Sequence, residues 1–549
     1  MKQQLSRYFS GNLRVPGGYV KFLLVLCVVS ILSLSCERSF TPHLDILSAH
    51  SLKGQIFSDV KEVNGGEIRH RGFSLLSSGL NQFRSRTTFP HLFIADNNSI
   101  HGSPEAYFSR GMNIIELLNS AECDALIVDT RELYFGLPRL QELAEAAEFP
   151  MVSANIRLKF SNEPPEFIQP YFYHPRYNIL IIGLSSPNLI ERSLPAHNQD
   201  VSLIPSSRAV EQAIRQFQMD SGMSWTVSQA PLVERPFVLV NAVSHKLNAG
   251  ETPVFPGNLD PDQIDLLVMG ERDLPYDGFA RSLVNLPGMD PRWKNKLVLV
   301  DDGRSDRGGF LDRIRIMNGK IQNYTELALD SARLEPDTEI SELLFTIREE
   351  SGSILGQRIA DSSEEISHSF SGDSELAHIV TNAMLDYSSA DFALINSGSM
   401  RGGLDQGPVT VHEAYSLLPF ESGLYTLEAR GDQILEILNR SASLYADPEG
   451  EKGFLQGSGL EYAVSLQNGL YVVRPRDVKI GGEPLDMGRN YTLVTSTFLH
   501  AGGDGYEEFG ELPILREHND TLLAVFLRYL NSMEEIRPSP EPRIRLKLS

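Results

Sequence analysis

Between residues 44 and 330, short apolar runs of strand length alternate with amphipathic stretches of helical periodicity. The apolar runs are rich in Val, Ile and Leu and occupy residues 92–95, 125–128, 151–154, 179–182, 237–240, 266–269 and 297–300. Helical patterns at 106–118 and 137–146 separate the first three runs. A strand, helix, strand order favours parallel pairing in a sheet that helices cover. The pattern therefore predicts a large α/β domain.

The chain has 549 residues and a net charge of −22 at pH 7. This length predicts two to four domains, at roughly 150 residues per domain. The acidic balance argues against a nucleic acid polymer as partner, because binding to a phosphate backbone needs a positive face. No sequence feature identifies a protein partner.

The N-terminus carries an export pattern. An apolar run at 22–34 follows four basic residues and no acidic one, and it is short for a membrane-spanning helix. The end of the run resembles a bacterial lipoprotein signal in which Cys36 becomes the lipidated first residue. We therefore predict a signal peptide over 1–35 and a secreted lipoprotein, periplasmic or anchored at the cell envelope; an uncleaved signal anchor is the alternative.

Removal of this segment and lipidation of Cys36 leave Cys123 as the remaining thiol. No disulfide can then form within the mature chain. Because Cys123 lies beside an apolar run, we expect it to be buried and inert.

A change of character marks the domain boundaries. Residues 334–369 are polar and acidic with helical periodicity, which predicts a linker helix between a first domain at 40–333 and a second at 370–549. The second domain begins with a helical pattern at 375–387 and continues with strand-like runs at 392–395, 470–473 and 491–495. It therefore has mixed α/β character.

Four motifs in the second domain are rich in Gly, Pro and aromatic residues that are typical of turns. In order they are N-S-G-S-M-R at 396–401, L-L-P-F at 417–420, G-F-L-Q-G-S-G at 453–459 and F-L-H-A-G-G-D-G-Y at 498–506. They resemble the signature of the C-terminal domain of the 5'-nucleotidase family. The resemblance implies a metallophosphatase-like β-sandwich flanked by helices, a linker helix and a C-terminal mixed α/β domain, together α/β and α+β.

The residues of these motifs suit a nucleoside or nucleotide. Phe420 and Phe498 can enclose a flat base, and stacking of this kind contributes about 1–3 kcal/mol per base. Asn396 can address a base edge, Asp504 can accept from ribose hydroxyls, and Arg401 can reach an anionic group. The resemblance implies the same roles. In the family a further Arg precedes the first helix of this domain. Here the corresponding segment near residues 371–373 contains no basic residue.

The first domain resembles the two-metal phosphatase domain of the family, but its ligand positions are substituted. Gly54, Gly102, Pro104, Gly136 and Gly270 match the turns of the family's loops. The matched ligand positions hold Ser51, Lys53, Asn98, Thr130, Arg131, Glu271 and Asp273. Positive charge at such positions opposes two divalent ions. A further family His matches Asn241 or Ala242, although a small alignment shift would recover His245.

Several carboxylates remain near the same strand ends, and two interpretations of them stay open. They either form a different metal site or pair with nearby cations in an empty cleft. The carboxylates are Asp96, Asp129, Glu132, Glu271 and Asp273, and the cations are Lys53, Arg131 and Arg272.

Three functions follow from these observations. The first is a lipid-anchored pseudoenzyme that binds nucleosides or nucleotides, has lost or nearly lost hydrolysis and needs no cofactor. The second is an active nucleotide phosphohydrolase with a rebuilt site for divalent metal ions, which uses Glu271, Asp273 and Asp96. The third is a structural envelope protein with neither property. Whether the chain is an enzyme is left open by the sequence.

Overall fold

A computed structural model describes residues 42–547 of the chain, with gaps. The gaps are 50–51, 64–65, 71, 97–98, 188, 226–231, 233–234, 243–258, 272–290, 294–295, 302–308, 330–333, 336, 339, 420–421, 446–452 and 539–540. Within the described residues no helix is long and apolar enough to span a membrane. The predicted signal segment and Cys36 lie outside them.

The first sheet is mixed and contains the first three predicted strands. Its spatial order is Lys320–Leu329, Gly309–Met317, Leu44–Ala49, His91–Ala95, Ala125–Ile127, Met151–Val152 and Ile168–Gln169. Pairing is parallel from Leu44–Ala49 onward, and the two strands at the other end are antiparallel. The parallel pairing predicted from the strand, helix, strand order is confirmed.

The second sheet holds the remaining predicted strands of this domain. Its order is Leu297–Asp301, Leu266–Glu271, Phe237–Ala242, Ile179–Leu184 and Phe172–His174. The strands pair in parallel except Phe172–His174, which is antiparallel to its neighbour. Small antiparallel pairs, Asp59–Val63 with Gly66–His70 and Ile156–Leu158 with Val201–Leu203, accompany the two sheets.

The two sheets pack face to face. Ile46 and Ile94 of the first sheet and Ile181 and Leu239 of the second share one buried cluster. Helices cover the outer faces, and they are Phe73–Arg86, Met112–Ser120 and Leu137–Ala146 on the first sheet and Ser206–Ser221 on the second. This domain also has short helices at Leu189–Arg192 and Pro195–Asn198 and short 3-10 helices at Pro261–Gln263 and Pro291–Trp293. The predicted β-sandwich flanked by helices is confirmed.

The helical pattern at 106–118 forms two helices, Pro104–Phe108 and Met112–Ser120, so the prediction of one continuous helix is wrong. Gly111 separates them with a φ of 85°. A Cβ at this position would lie 2.2 Å from Cγ2 of Ile100. The left-handed backbone and this close approach both require glycine.

The linker contains a helix at Ser341–Leu355 and then a strand at Arg358–Ser362. That strand pairs with Gly407–Thr410 of the second domain. The second half of the predicted linker segment is therefore packed with the C-terminal domain.

Besides the strand pair Arg358–Ser362 and Gly407–Thr410, the C-terminal domain has two larger sheets in its described residues. One has the order Leu455–Ser458, Phe392–Asn396, Asn490–Ser496, Gly423–Arg430 and Ile514–Thr521, and the other Glu483–Pro484, Leu470–Ile480, Leu460–Gln467 and Ile544–Lys547. Its helices are Glu375–Ser388, Val411–Leu417, Gly431–Ser443, Thr497–His500, Glu507–Gly510 and Leu522–Asn531. Two buried clusters form its core. The predicted mixed α/β domain is confirmed.

The short helix Pro104–Phe108 of the first domain also packs against the second domain. Its Ala106 is buried in the core of the first domain, whereas Tyr107 packs against the core of the second. The ring centroids of Tyr107 and Tyr415 are 5.6 Å apart. Adjacent residues of one helix thus belong to different cores.

Cys123 is buried as expected. Burial raises the pKa of its thiol to about 12. A thiol with such a pKa is protonated at neutral pH and is a poor nucleophile.

Candidate functional site

The turn at 396–401 follows the buried strand Phe392–Asn396. Asn396 is 3% exposed, and its Nδ2 donates to Oδ2 of Asp504 at 2.8 Å. Its Oδ1 accepts from Oγ of Ser399 at 2.5 Å. The amide is therefore held in one orientation next to the loop that carries Asp504.

The glycine-rich loop brings Phe498 and Asp504 together. Phe498 begins the loop on the short helix Thr497–His500 and is 45% exposed. A Cβ on Gly503 would lie 2.4 Å from the Phe498 ring, so the ring lies directly on the backbone of this loop. Asp504 follows in the left-handed region, with a φ of 53°. An exposed ring and a carboxylate thus share one turn.

Arg401 lies close enough to Asp504 for their charges to interact. Its Nη1 donates to the carbonyl oxygens of Gly398 at 2.6 Å and Met400 at 2.7 Å. Burial lowers the pKa of Arg401, and the charge of Asp504 raises it. The guanidinium remains charged at neutral pH because an arginine pKa lies far above it.

The motif at 453–459 supports the same loop. Tyr506 donates from its hydroxyl to the carbonyl oxygen of Gly453 at 2.8 Å. A Cβ on Gly453 would lie 3.3 Å from Cβ of Asp504. Gln456 Nε2 donates to the carbonyl oxygen of Gly372 at 2.7 Å. The motif therefore connects the Asp504 loop with the segment before helix Glu375–Ser388.

Four of the five residues predicted for the pocket lie around one turn, namely Asn396, Arg401, Phe498 and Asp504. Phe420 lies outside the described residues. The sequence analysis missed Phe370, whose ring centroid is 5.9 Å from the guanidinium carbon of Arg401. Phe370 directly precedes residues 371–373, the segment that lacks the family's basic residue. This position in the sequence was the available indication that Phe370 lies near the pocket.

In the first domain, Asp96 joins the two sheets. It follows the strand His91–Ala95 and is completely buried. Its Oδ2 accepts from Oγ of Ser48 at 2.9 Å, and its Oδ1 accepts from Nδ2 of Asn241 at 2.5 Å. Ser48 belongs to the first sheet and Asn241 to the second. Both oxygens of the carboxylate are therefore engaged by neutral donors.

Two further buried carboxylates bind backbone groups. Oδ1 of Asp129 accepts from the N–H of Ser186 at 2.8 Å, and its Oδ2 lies 3.4 Å from Oγ1 of Thr130. Glu132 accepts from the N–H of Ser99 at 2.7 Å and from that of Asp129 at 3.0 Å. Burial raises the pKa of Glu132, and these backbone donors oppose the shift. Glu132 thus fixes the loop after the strand His91–Ala95.

The Arg131 side chain and the Lys53 backbone both approach Gly102 closely. Nη1 of Arg131 donates to the carbonyl oxygen of His101 at 2.7 Å. Gly102 has a φ of 136°, and a Cβ there would lie 2.4 Å from both Nη1 of Arg131 and the carbonyl oxygen of Lys53. Lys53 itself has a left-handed φ of 52°. Glycine is needed at position 102 because a Cβ there would clash with both the Arg131 side chain and the Lys53 backbone.

Other positions of the predicted degenerate site cannot be placed. Ser51, Asn98, Asp273, Arg272 and His245 lie outside the described residues. Glu271 ends the strand Leu266–Glu271, where its backbone is paired with Asp301. Whether the five carboxylates bind a metal or pair with cations stays a prediction.

The donors that the structure describes do not by themselves complete a site for a pair of divalent ions. Such a pair needs several carboxylate, imidazole or amide donors that converge on it. Asp96 and Glu132 instead accept hydrogen bonds from protein groups, and Lys53 and Arg131 carry positive charge. Within the described residues no group of three His, Cys, Asp or Glu side chains is arranged to hold a metal ion.

Comparison with known proteins gives consistent matches. Residues 355–511 match the family model described as 5'-nucleotidase, C-terminal domain. Protein UshA of Yersinia enterocolitica is 22% identical over 447 residues, which is 74% of this chain and 75% of that protein. The 5'-nucleotidase of Vibrio vulnificus is 24% identical over 423 residues, 70% of this chain and 72% of that protein.

A solved structure of similar fold is that of the 5'-nucleotidase precursor from Thermus thermophilus. It has a TM-score of 0.60 and 19% identity, and the match covers 92% of this chain and 99% of that one. The turns that hold Asn396, Arg401, Phe498 and Asp504 all fall within the segment matched by the family model. Residues 355–511 thus match the 5'-nucleotidase C-terminal domain family, and the chain as a whole is similar to proteins named 5'-nucleotidase.

Proposed function

We propose that this chain binds a nucleoside or nucleotide in its C-terminal domain and has lost, or nearly lost, phosphohydrolase activity. The observation that carries the proposal is the turn at which Asn396, Asp504, Arg401 and Phe498 meet. It combines an aromatic surface with an amide, a carboxylate and a guanidinium. These are the groups that a base, a ribose and an anionic substituent require.

The exposure of Phe498 supports the base-binding role. A large apolar side chain that served only the core would be buried, whereas this ring is 45% exposed on a glycine-rich turn. We propose that a base stacks on the exposed part of this ring. Phe420 is proposed as the second ring on the basis of its motif.

The donor chemistry of the first domain supports the loss of hydrolysis. Asp96 hydrogen bonds to Ser48 and Asn241, and Glu132 to backbone N–H groups. Arg131 and Lys53 place cations in the loops that resemble the metal-binding loops of the family. The alternative is an active phosphohydrolase with a rebuilt metal site, which similarity to proteins named 5'-nucleotidase favours.

Titration with adenosine tests the binding role. Phe498→Ala is expected to weaken adenosine binding by about 1–3 kcal/mol, or roughly 5- to 150-fold, because one stacking surface is lost. The same loss is expected for Phe420→Ala. Calorimetric titration of the purified protein measures both.

Phe160→Ala is the matched control, since Phe160 lies in the first domain and is 90% exposed. Its affinity should equal that of the wild type. If Phe498→Ala folds normally and binds adenosine unchanged, the ring has no part in binding. If the wild type binds neither adenosine nor AMP, the proposed function is wrong and a structural envelope role replaces it.

We also propose that the chain is exported and anchored by a lipid on Cys36. The proposal depends on the apolar run at 22–34 that ends before this cysteine. Cys36→Ala is expected to lose the acyl mass and to leave the membrane fraction. Fractionation followed by mass spectrometry of the N-terminus checks this result.

Cys27→Ala is the control for this experiment, because Cys27 lies within the predicted signal and should not be acylated. Its product should remain membrane-bound. A wild-type protein that is soluble, with an N-terminus elsewhere, would refute lipid anchoring without affecting the proposal on binding.

A further inference from the structure

Hydrogen bonds join the two turns that lie next to the proposed aromatic rings. Oγ1 of Thr497 accepts from the N–H of Gly423 at 3.1 Å and lies 3.1 Å from Oγ of Ser422. The N–H of Phe498 donates to Oγ of Ser422 at 3.4 Å. Ser422 follows Phe420 by two positions. The four hydrogen-bonded residues form one unit, which we call the joined turns.

A leucine of the first domain packs on the joined turns. A Cβ on Gly423 would lie 3.3 Å from Cδ2 of Leu194 and 3.0 Å from Cγ2 of Thr497. Leu194 is 6% exposed. The helix that follows it, Pro195–Asn198, lies against the strand Ile514–Thr521 of the second domain. Leu194 is thus buried where the two domains meet, and it covers the joined turns.

Contacts within the first domain hold Leu194 in this position. Its carbonyl oxygen accepts from the N–H of His197 at 2.8 Å. Nδ1 of His197 donates to the carbonyl oxygen of Tyr134 at 2.5 Å. A Cβ on Gly136 would lie 3.7 Å from the His197 ring, so this ring also packs on the backbone. Leu194 therefore belongs to a turn that is attached to the loop after the strand Ala125–Ile127.

The burial of Leu194 affects the proposed base site through the Phe498 backbone. A binding group contributes more to affinity when it is already held in its bound position. The N–H of Phe498 is bound to Ser422 within the joined turns. Hydrogen bonds are stronger where apolar side chains exclude water, and Leu194 is such a side chain over Gly423. A shorter side chain at position 194 would admit water and loosen the joined turns.

We propose that Leu194 is a positioning residue of the nucleoside pocket, so that the first domain contributes to base binding in the second. This inference rests on the proposed function, because it assumes that Phe498 stacks on the base. Leu194 acts through the joined turns and not by contact with the ligand. It holds these turns, and with them the Phe498 ring, in the position that stacking needs.

Calorimetric titration of the full chain with adenosine tests this role. Leu194→Ala is expected to bind adenosine about three- to tenfold more weakly than wild type, because the two residues act together. In a Phe498→Ala background the same substitution should change the affinity by less than about twofold, since the ring that it positions is gone. Leu194→Met keeps an apolar side chain of similar volume and should bind adenosine like wild type.

Leu143→Ala is the matched control, because Leu143 is a fully buried leucine in the core of the first domain. It should destabilise the fold and leave the affinity for adenosine at the wild-type value. The inference is overturned if folded Leu194→Ala binds adenosine like wild type, if Leu143→Ala shows an equal loss, or if the loss persists in full in the Phe498→Ala background. Wild type that binds no adenosine overturns the proposed function as well. Leu194→Val, which also lacks Cδ2, replaces Leu194→Ala in these comparisons if that variant does not fold.

Discussion

Purified protein is expected to hydrolyse nucleoside 5'-monophosphates at rates far below the range of about 1–1000 per second that ordinary enzymes reach. The reason is the chemistry at the positions that the sequence analysis predicts to correspond to metal ligands, which hold Ser51, Lys53, Asn98, Thr130, Arg131, Glu271 and Asp273. Zinc needs donors at about 2.0–2.2 Å, and protonated lysine and arginine cannot donate an electron pair. The buried carboxylate of Asp96 accepts hydrogen bonds from Ser48 and Asn241.

The measurement is phosphate release from AMP in the presence of manganese or zinc, with and without chelator, together with the metal content of the purified protein. We expect no stoichiometric pair of metal ions. Asp273→Ala is the informative variant. A rate within the ordinary range that collapses with both chelator and Asp273→Ala would establish a rebuilt metal site. A slow rate unaffected by Asp273→Ala would indicate contamination.

Asp373→Ala is expected to lower the free energy of unfolding by about 3 kcal/mol. Oδ1 of Asp373 accepts from Nε2 of His378 at 3.0 Å and from the N–H groups of Arg543 at 2.9 Å and Ile544 at 3.0 Å. Removal of the carboxylate leaves these donors without this acceptor in a site where His378 is 3% exposed. The start of the C-terminal strand Ile544–Lys547 would lose one of its attachments to the region of helix Glu375–Ser388.

The Arg543 side chain completes the same cluster. It donates to Oδ1 of Asn382 at 3.0 Å, to the carbonyl oxygen of Gly457 at 3.3 Å and to Oγ of Ser458. Urea unfolding of wild type and Asp373→Ala measures the loss. Asp432→Ala is the control, because Asp432 forms an exposed ion pair with Arg430 that should contribute little, as surface ion pairs generally do. Equal effects of the two substitutions would contradict the prediction.

The pH dependence provides an independent check. Burial raises the pKa of Asp373, but the hydrogen bonds from His378, Ile544 and Arg543 outweigh it and hold the pKa below its usual range. A lowered carboxyl pKa stabilises the fold above the unfolded value of about 3.9, and this contribution is lost as the pH falls through the folded value. The difference between wild type and Asp373→Ala should therefore shrink at strongly acid pH.

The strands were predictable because each is a short apolar run covered on both faces. Residues 92–95 and 237–240 lie within the strands His91–Ala95 and Phe237–Ala242, and burial on both sides explains their continuous hydrophobicity. The break between the two helices at Gly111 was not predicted, because the helical pattern of the sequence continues across it. Glycine is required there by a contact with Ile100, which belongs to a different part of the chain.

The part of the candidate site that lies within sequence motifs could be predicted from the sequence. Asn396, Arg401, Phe498 and Asp504 were identified from local patterns of turn and glycine residues. Phe370 belongs to no such pattern, and its proximity to Arg401 depends on the packing of two segments. The contact of Asp96 with Asn241 joins residues of two different sheets, so sequence proximity gives no indication of it.

The helix Pro104–Phe108 has a consequence for how the chain unfolds. Because Ala106 is buried in one core and Tyr107 packs on the other, this helix cannot melt without removing contacts from both. Contacts of this kind, and not only the boundaries of domains in the sequence, determine which parts of a protein unfold together. We therefore expect unfolding of the two domains to be coupled, and we expect a ligand of the C-terminal pocket to slow the exchange of the amide hydrogens around Ala106 with solvent.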